Sequence, residues 1–153
     1  MIAYSSSVPG ISRKVLQRAC NRAAEGDHVP ATHEFLRNAR AALWQGRHRA
    51  AVLDASTAAE LALRELFDSH VQDLDVSIEE ALQSNAREMG RLVQLLRKLE
   101  SVPLPPQIER DLLHVRNRAI HRGDEPLASE ASSAVAIAAT LVNRVSPAAM
   151  LMQ

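Results

Sequence analysis

Aromatic residues, glycine and cysteine are scarce in this chain of 153 residues. Phe, Trp and Tyr make up only 3% of it, 5 residues are glycine, and Cys20 is the single cysteine. So few aromatic residues exclude a large aromatic platform for bases or sugars. Together with 25 alanines, they argue against all-β sandwiches and barrels. A lone cysteine allows no disulfide within the chain, which favours a reducing, cytoplasmic setting.

Long apolar runs are also missing. The most apolar stretch, residues 134–142, is much shorter than the roughly 18 residues that a transmembrane helix needs. The first residues, MIAYSSSVPGISRK, lack the apolar centre of a secretory signal. We therefore expect a cytoplasmic protein that does not engage a membrane.

The formal net charge is zero, but the charges are segregated along the chain. Residues 1–49 hold eight basic and three acidic side chains (+5), residues 50–83 one and eight (−7), residues 84–123 eight and four (+4), and residues 124–153 one and three (−2). Zero net charge argues against a surface coated for nucleic acid but leaves room for local patches. Such blocks fit either solvated helix faces or a basic surface that meets an acidic partner or a phosphate chain.

Apolar residues recur at helical spacing along almost the whole chain, and 46% hydrophobic residues suffice for one buried core. The pattern predicts an all-α fold, an antiparallel bundle of five to six helices with an up-down core. We expect an N-terminal segment with a basic amphipathic helix over residues 1–30, the bundle over 31–146 and a tail over 147–153. Helices are predicted at 11–24, 33–45, 47–69, 77–99 with a break near 85–90, 106–122 and 129–145.

The expected helix ends follow from local signals. Thr32 is a predicted N-cap, and Ser77 with Glu80 forms a capping-box signature. Gly46 and Gly123 are predicted to end their helices. Glu60 lies beside the apolar stripe of the 47–69 helix, where it is either an ordinary exposed or paired carboxylate or a functional one.

Several kinds of site leave no signature. The glycines are scattered singly, so no phosphate-binding loop is present, and no nucleophile elbow occurs. No two of the six histidines stand four residues apart around a glutamate, so we expect no metal site and no cofactor.

One segment concentrates residues capable of acid–base and phosphate chemistry: DLLHVRNRAIHRG, residues 111–123. Arg116 is followed by Asn117 and, after a gap of four, by His121. This resembles the HEPN family, whose signature is Arg, four to six residues, then His, with a polar residue after the Arg. Chance alone predicts about two such Arg–His matches in this composition, and three occur: Arg22–His28, Arg64–His70 and Arg116–His121.

The context distinguishes the third match. Only Arg116 is followed by Asn, and only His121 closes a late helix before a glycine and a final Ala-rich helix. Upstream, residues 34–67 resemble the family's first helical hairpin, with an A-x-x-A-x-E-like run at Ala55, Ala58 and Glu60. The resemblance covers about residues 32–145.

The resemblance implies a HEPN-like bundle that pairs two protomers, so that two Arg–His sets line one cleft. It implies a metal-independent endoribonuclease of the toxin-antitoxin or phage-defence type, with an antitoxin or nucleotidyltransferase-type partner protein. Arg116, Asn117 and His121 would be catalytic, whereas Arg118 and Arg122 would bind the RNA backbone. In HEPN toxins silenced by nucleotidylation, a Tyr stands two positions after the His; here that position is Gly123, so the resemblance does not extend to that regulation.

Two other classes of function remain open. A non-catalytic HEPN-like module would use the dimer surface, or the acidic 47–69 helix, to bind a partner protein. A nucleotide-binding accessory domain of a larger assembly is the third alternative. The trio also has a structural interpretation. Arg116 and His121 would stabilise the C-terminal helix dipole by about 0.3–1 kcal/mol each, and Asn117 would bond the neighbouring helix.

Overall fold

The computed structural model describes residues 29–72, 74–99 and 102–147, together with the helical residues Gln17 and Asn21. The chain divides into two units, Met1–Val29 with Ala148–Gln153, and Pro30–Pro147. Gln17 and Asn21 belong to the first; the rest of the helix predicted at 11–24, with Cys20, lies outside the described residues. The described residues contain no strand. Their α-helices are α1 (Ala31–Trp44), α2 (His48–Val71), α3 (Val76–Asn85), α4 (Met89–Lys98), α5 (Val115–His121) and α6 (Ala128–Val145).

Helices α1 and α2 form an antiparallel hairpin across a tight turn. Gly46 adopts the left-handed conformation, φ 69°, that its missing Cβ permits. The N–H of Arg47 then reaches the carbonyl of Ala42 at 2.9 Å, and the N–H of Gly46 reaches Leu43 at 3.1 Å. This pair of bonds is a Schellman cap. The prediction that Gly46 ends the helix is confirmed.

The starts of α1 and α3 correct two predicted caps. Pro30, not Thr32, occupies the N-cap of α1, because its fixed φ starts the helix two residues earlier. Thr32 is buried in the first turn, and its hydroxyl has no hydrogen-bond partner among the described residues. Asp75, not Ser77, caps α3: its carboxylate accepts the N–H of Ser77 at 3.0 Å.

The core is centred on α2, which packs mainly against α1 and α6 and also against α4 and α5. The apolar stripe predicted on α2 is buried along its whole length, and the small alanines on it allow α1 and α6 to pack closely. The stripe of α6 is buried opposite it. The largest side chains with less than 2% exposure are Val52, Leu63, Leu92, Val93, Leu96, Ile108, Leu112, Leu141 and Val142.

Two long-range contacts fix the direction of α6. The His33 Nε2 atom lies 2.8 Å from the carbonyl oxygen of Ser146, which joins the start of α1 to the end of α6. The N–H of Arg49 donates to the Glu125 carboxylate at 3.2 Å, which joins the start of α2 to the loop before α6. Helix α6 therefore runs antiparallel to α1.

The chain between α2 and α6 contributes less evenly to the core. The predicted break at 85–90 is confirmed, since α3 ends at Asn85 and α4 begins at Met89. Helix α4 buries one face against α2, whereas α3 buries none of its residues. After the proline-rich segment 102–106, Glu109–His114 forms a π-helical segment that continues directly into α5. Among the described helices, none has both the length and the apolar character to cross a bilayer.

Candidate functional site

The short helix α5 carries the residues singled out by the sequence. Val115 and Ala119 are buried, and the helix packs against α2. Arg116 is half-buried beside them, and Asn117 is exposed. The Arg116 Nη1 atom donates to the Asn117 Oδ1 atom at 3.0 Å. The amide therefore holds the guanidinium, while both side chains stay within reach of solvent.

His121 is the last residue of α5 and is exposed. Among residues 29–72, 74–99 and 102–147, no hydrogen bond or ion pair engages its imidazole. Gly123, at φ 71°, turns the chain away two residues later, as predicted. Five helical residues at about 100° each place Arg116 and His121 roughly 140° apart around the axis. A single protomer therefore presents them in different directions.

Arg118 is held by two carboxylates of its own chain. Its Nη2 atom bonds Glu130 at 2.8 Å, and its Nε atom lies 3.5 Å from the Asp124 carboxylate. Glu130 also accepts the N–H of Leu127 at 2.9 Å, at the start of α6. That bond, and then the bond from Arg118, hold the pKa of Glu130 below its usual value. The side chain of Arg118 stays 40% exposed, so it fastens the end of α5 to α6 and still faces solvent.

Arg122 follows α5 and is exposed. Its backbone N–H donates to the Arg118 carbonyl at 3.0 Å, which closes the helix. The Arg122 side chain makes no ion pair among the described residues, whereas that of Arg118 pairs with Asp124 and Glu130. Of the two residues predicted to bind the RNA backbone, Arg122 thus has the freer side chain.

Arg118 also lines an open pocket of about 350 Å³ between the π-helical segment and α6. His114 stands in its wall and is exposed. Arg110 pairs with Asp111 beside it, and this hydrogen bond lowers the pKa of the Asp111 carboxyl. Sequence reasoning missed His114 because it lies outside the Arg–His spacing. It stands four residues before Arg118, and that spacing could have indicated a shared helix face.

The other Arg–His matches differ in their surroundings. Arg64 bonds Glu60 at 2.9 Å and the Arg87 carbonyl at 3.0 Å, and the His70 ring lies 2.7 Å from the Leu66 carbonyl. Glu60 is thus a pairing carboxylate. Arg22 and His28 lie outside the described residues. Within the described part of the chain, no group of three or more potential metal ligands is found.

Comparison of the chain with known protein families, with curated proteins and with solved structures finds no match.

Proposed function

We propose that this chain is a HEPN-like, metal-independent endoribonuclease of the toxin-antitoxin or phage-defence type, acting as a homodimer of up-down helical bundles. One observation carries the proposal. The motif residues Arg116, Asn117 and His121 stand on one helix, with the arginine held by the amide and the imidazole exposed and uncommitted among the described residues.

The proposed reaction uses only side-chain acid–base chemistry. The neutral imidazole of one His121 takes the proton of a ribose 2′-hydroxyl, and that oxygen attacks the adjacent phosphorus. The bond from phosphorus to the 5′-oxygen breaks, and the imidazolium of a second His121 protonates the leaving oxygen. Arg116, oriented by Asn117, neutralises the charge on the non-bridging oxygens. The products are a 2′,3′-cyclic phosphate and a 5′-hydroxyl.

Arg116 and His121 of one copy lie about 140° apart around the helix, so a second copy is needed to bring both groups to one phosphate. When two α5 helices face each other, the Arg116 of one copy lies near the His121 of the other, and each phosphate meets both groups. Arg122 adds a contact to the RNA backbone, and Arg118 adds a second through its exposed edge while it fixes the end of α5.

Cleavage of RNA in the presence of EDTA tests the proposal. The full chain is expected to release 5′-hydroxyl ends, and His121→Ala to lose about 100-fold or more in rate, as loss of a general base does. His70→Ala is the matched control, because His70 belongs to the competing match and should leave the rate unchanged. Activity that depends on added metal would contradict the mechanism.

Expression in a bacterial host is the second test. The wild-type chain is expected to arrest growth and His121→Ala to be harmless. Mass in solution checks the dimer, since a strict monomer would remove the shared cleft.

A non-catalytic interaction module is the second candidate, and the exposed apolar residues around α3 favour it. Leu74, Val76 and Ile78 are 41%, 68% and 52% exposed within the acidic block. Harmless expression, no cleavage and a partner lost on Ile78→Ser would support this alternative over the nuclease.

A further inference from the structure

Trp44 has the highest exposure of the large apolar side chains described, at 88%, and it is the only tryptophan of the chain. Single exposed apolar residues are common on protein surfaces and need no partner. The neighbours of Trp44 are what make it informative.

The outer face of α1 aligns two arginines with this indole. Arg37, Arg40 and Trp44 stand at positions i, i+3 and i+7, so they share one side of the helix, and all three are exposed. Leu36, Ala39 and Ala42 are buried on the opposite side. Arg47, also exposed, follows after the turn. We call Arg37, Arg40, Trp44 and Arg47 the arginine–tryptophan strip; its helical part is roughly 10 Å long at 1.5 Å per residue.

Few carboxylates oppose this positive charge. Glu34 is the only acidic residue of α1, and it pairs with Arg37 at 3.8 Å. Arg47 bonds the Gln45 side chain, and its charge also acts on the half-buried Asp54. Arg40 makes no ion pair among the described residues. The strip therefore combines positive charge with one flat π-surface.

The strip ends near the candidate site. Trp44 closes α1, and the N–H of Arg49 in the next helix bonds Glu125, in the loop that follows His121 and Arg122. A chain that lay along the strip would therefore approach the end of α5.

We propose that the arginine–tryptophan strip binds single-stranded RNA, with one base stacked on Trp44 and the arginines on the flanking phosphates. The proposal rests on the ribonuclease function and names its substrate as an unpaired strand. Arginines interleaved with an exposed aromatic ring suit single strands, because unpaired bases offer free faces for stacking whereas a duplex hides them.

Charge and burial disfavour two other occupants. Two copies of the strip facing each other would bring like charges together. A membrane-surface helix needs a continuous apolar face, and the apolar face of α1 is already buried in the bundle.

Fluorescence of the full chain gives a direct test, because all tryptophan emission comes from Trp44. The probe is a 2′-O-methyl oligonucleotide, which lacks the hydroxyl needed for cleavage. The single strand is expected to quench the emission at saturation and the duplex of the same sequence to leave it nearly unchanged. Unchanged emission at single-strand concentrations that saturate binding would overturn the proposal, as would a response to protein concentration or to anionic vesicles in place of RNA.

Variants separate stacking from charge. Trp44→Ala is expected to weaken binding of a labelled single strand by about 5- to 150-fold, and Trp44→Phe by less than about fivefold, since phenylalanine still stacks. Arg40→Gln should reduce the slope of log affinity against log salt by about 0.7, one phosphate contact on a single strand. Arg91→Gln, which removes an exposed arginine of α4 in the same way, is the control. Equal affinity of Trp44→Ala and wild type would overturn the proposal.

The outcomes also separate this inference from the nuclease proposal. If the chain cleaves RNA and Trp44→Ala does not change RNA binding, the nuclease proposal stands and the strip proposal is wrong. If single strands quench the Trp44 emission but the chain cleaves no RNA, the strip stands as a binding surface and the nuclease proposal is wrong. If His121→Ala loses cleavage and its Trp44 emission is still quenched, both proposals are supported. If the chain binds no RNA, both proposals are wrong.

Discussion

Helices α2 and α3 carry apolar side chains at similar helical spacing, yet only α2 is packed into the core. Eleven of the 24 residues of α2 are buried, and none of the 10 residues of α3. Helix α2 is covered by α1, α4, α5 and α6, whereas α3 touches the core mainly through the half-buried Leu82. An apolar stripe therefore marks a helix, but burial requires partners on that face. We expect the global stability to reside in the helices that pack around α2, and we expect α3 to open locally.

The largest expected difference comes from shortening one large apolar side chain in each helix. Leu63→Ala on α2 is expected to lower the free energy of unfolding by about 3 kcal/mol, because it leaves a cavity in a fully buried site. Ile78→Ala on α3 should change it by less than about 0.5 kcal/mol, because Ile78 is half-exposed. Denaturant unfolding followed by circular dichroism measures both. Equal losses would show that α3 belongs to the cooperative core.

Enlarging a side chain in each helix also tests the difference in packing between α2 and α3. Ala59 is completely buried where α2 meets its neighbours, so Ala59→Leu is expected to cost about 2 kcal/mol through overpacking. Ala81 on α3 is exposed, and Ala81→Leu should leave the thermal midpoint within about one degree of wild type or raise it. A tolerated leucine at position 59 would mean that the helices around α2 are less closely packed than the structure shows.

Glu130 and Asp75 allow a comparison of two carboxylates that accept an N–H at a helix start. Glu130→Gln is expected to destabilise the bundle by about 1–2 kcal/mol, because the charged acceptor of Leu127 and Arg118 is lost. The pKa of Glu130 is lowered in the folded chain, so its stabilising effect is complete above the unfolded value of about 4.3. The effect is lost as the pH falls through the lower folded value. Unfolding curves from pH 7 to 3 should thus fall less steeply for the variant, and Glu65→Gln, on the exposed side of α2, serves as the control.

Asp75→Ala gives the smallest global effect. Hydrogen bonds from the hydroxyl and N–H of Ser77 lower the pKa of Asp75, so its cap is complete at neutral pH and is lost as the pH falls through its lowered pKa. We expect faster amide exchange in the first turn of α3 with an unchanged global unfolding transition. A shifted global midpoint would contradict the view that α3 opens alone.

The sequence predicted the elements better than their caps. Apolar spacing located the stripes of α2 and α6, and Gly46 and Gly123 marked helix ends because only glycine takes a positive φ freely. The caps at Thr32 and Ser77 were wrong because Pro30 and Asp75 offered starts two residues earlier. The apolar spacing over residues 106–122 predicted one regular helix and did not indicate the π-helical segment Glu109–His114.

The candidate site was predictable in part. The sequence placed Arg116, Asn117 and His121 at the end of one helix, and the structure places them on α5. The 140° separation followed from helix geometry alone. The pairing of Arg118 with Asp124 and Glu130 did not follow, although a glutamate in the first turn of α6 could have indicated that this acid serves the helix start. Nor did the exposure of Trp44, since a tryptophan after an apolar stripe is as readily buried.

By itself, the sequence determined the all-helical content, the helix ends at Gly46 and Gly123 and the inward face of each long helix, because these depend on neighbours within about one turn. Only the tertiary structure decided which helices cover one another. It left α3 uncovered, joined His33 to Ser146 across 113 positions, tied Arg118 to α6 and left Trp44 exposed. These features depend on the packing of whole faces, and residues far apart in the chain meet only once that packing is chosen.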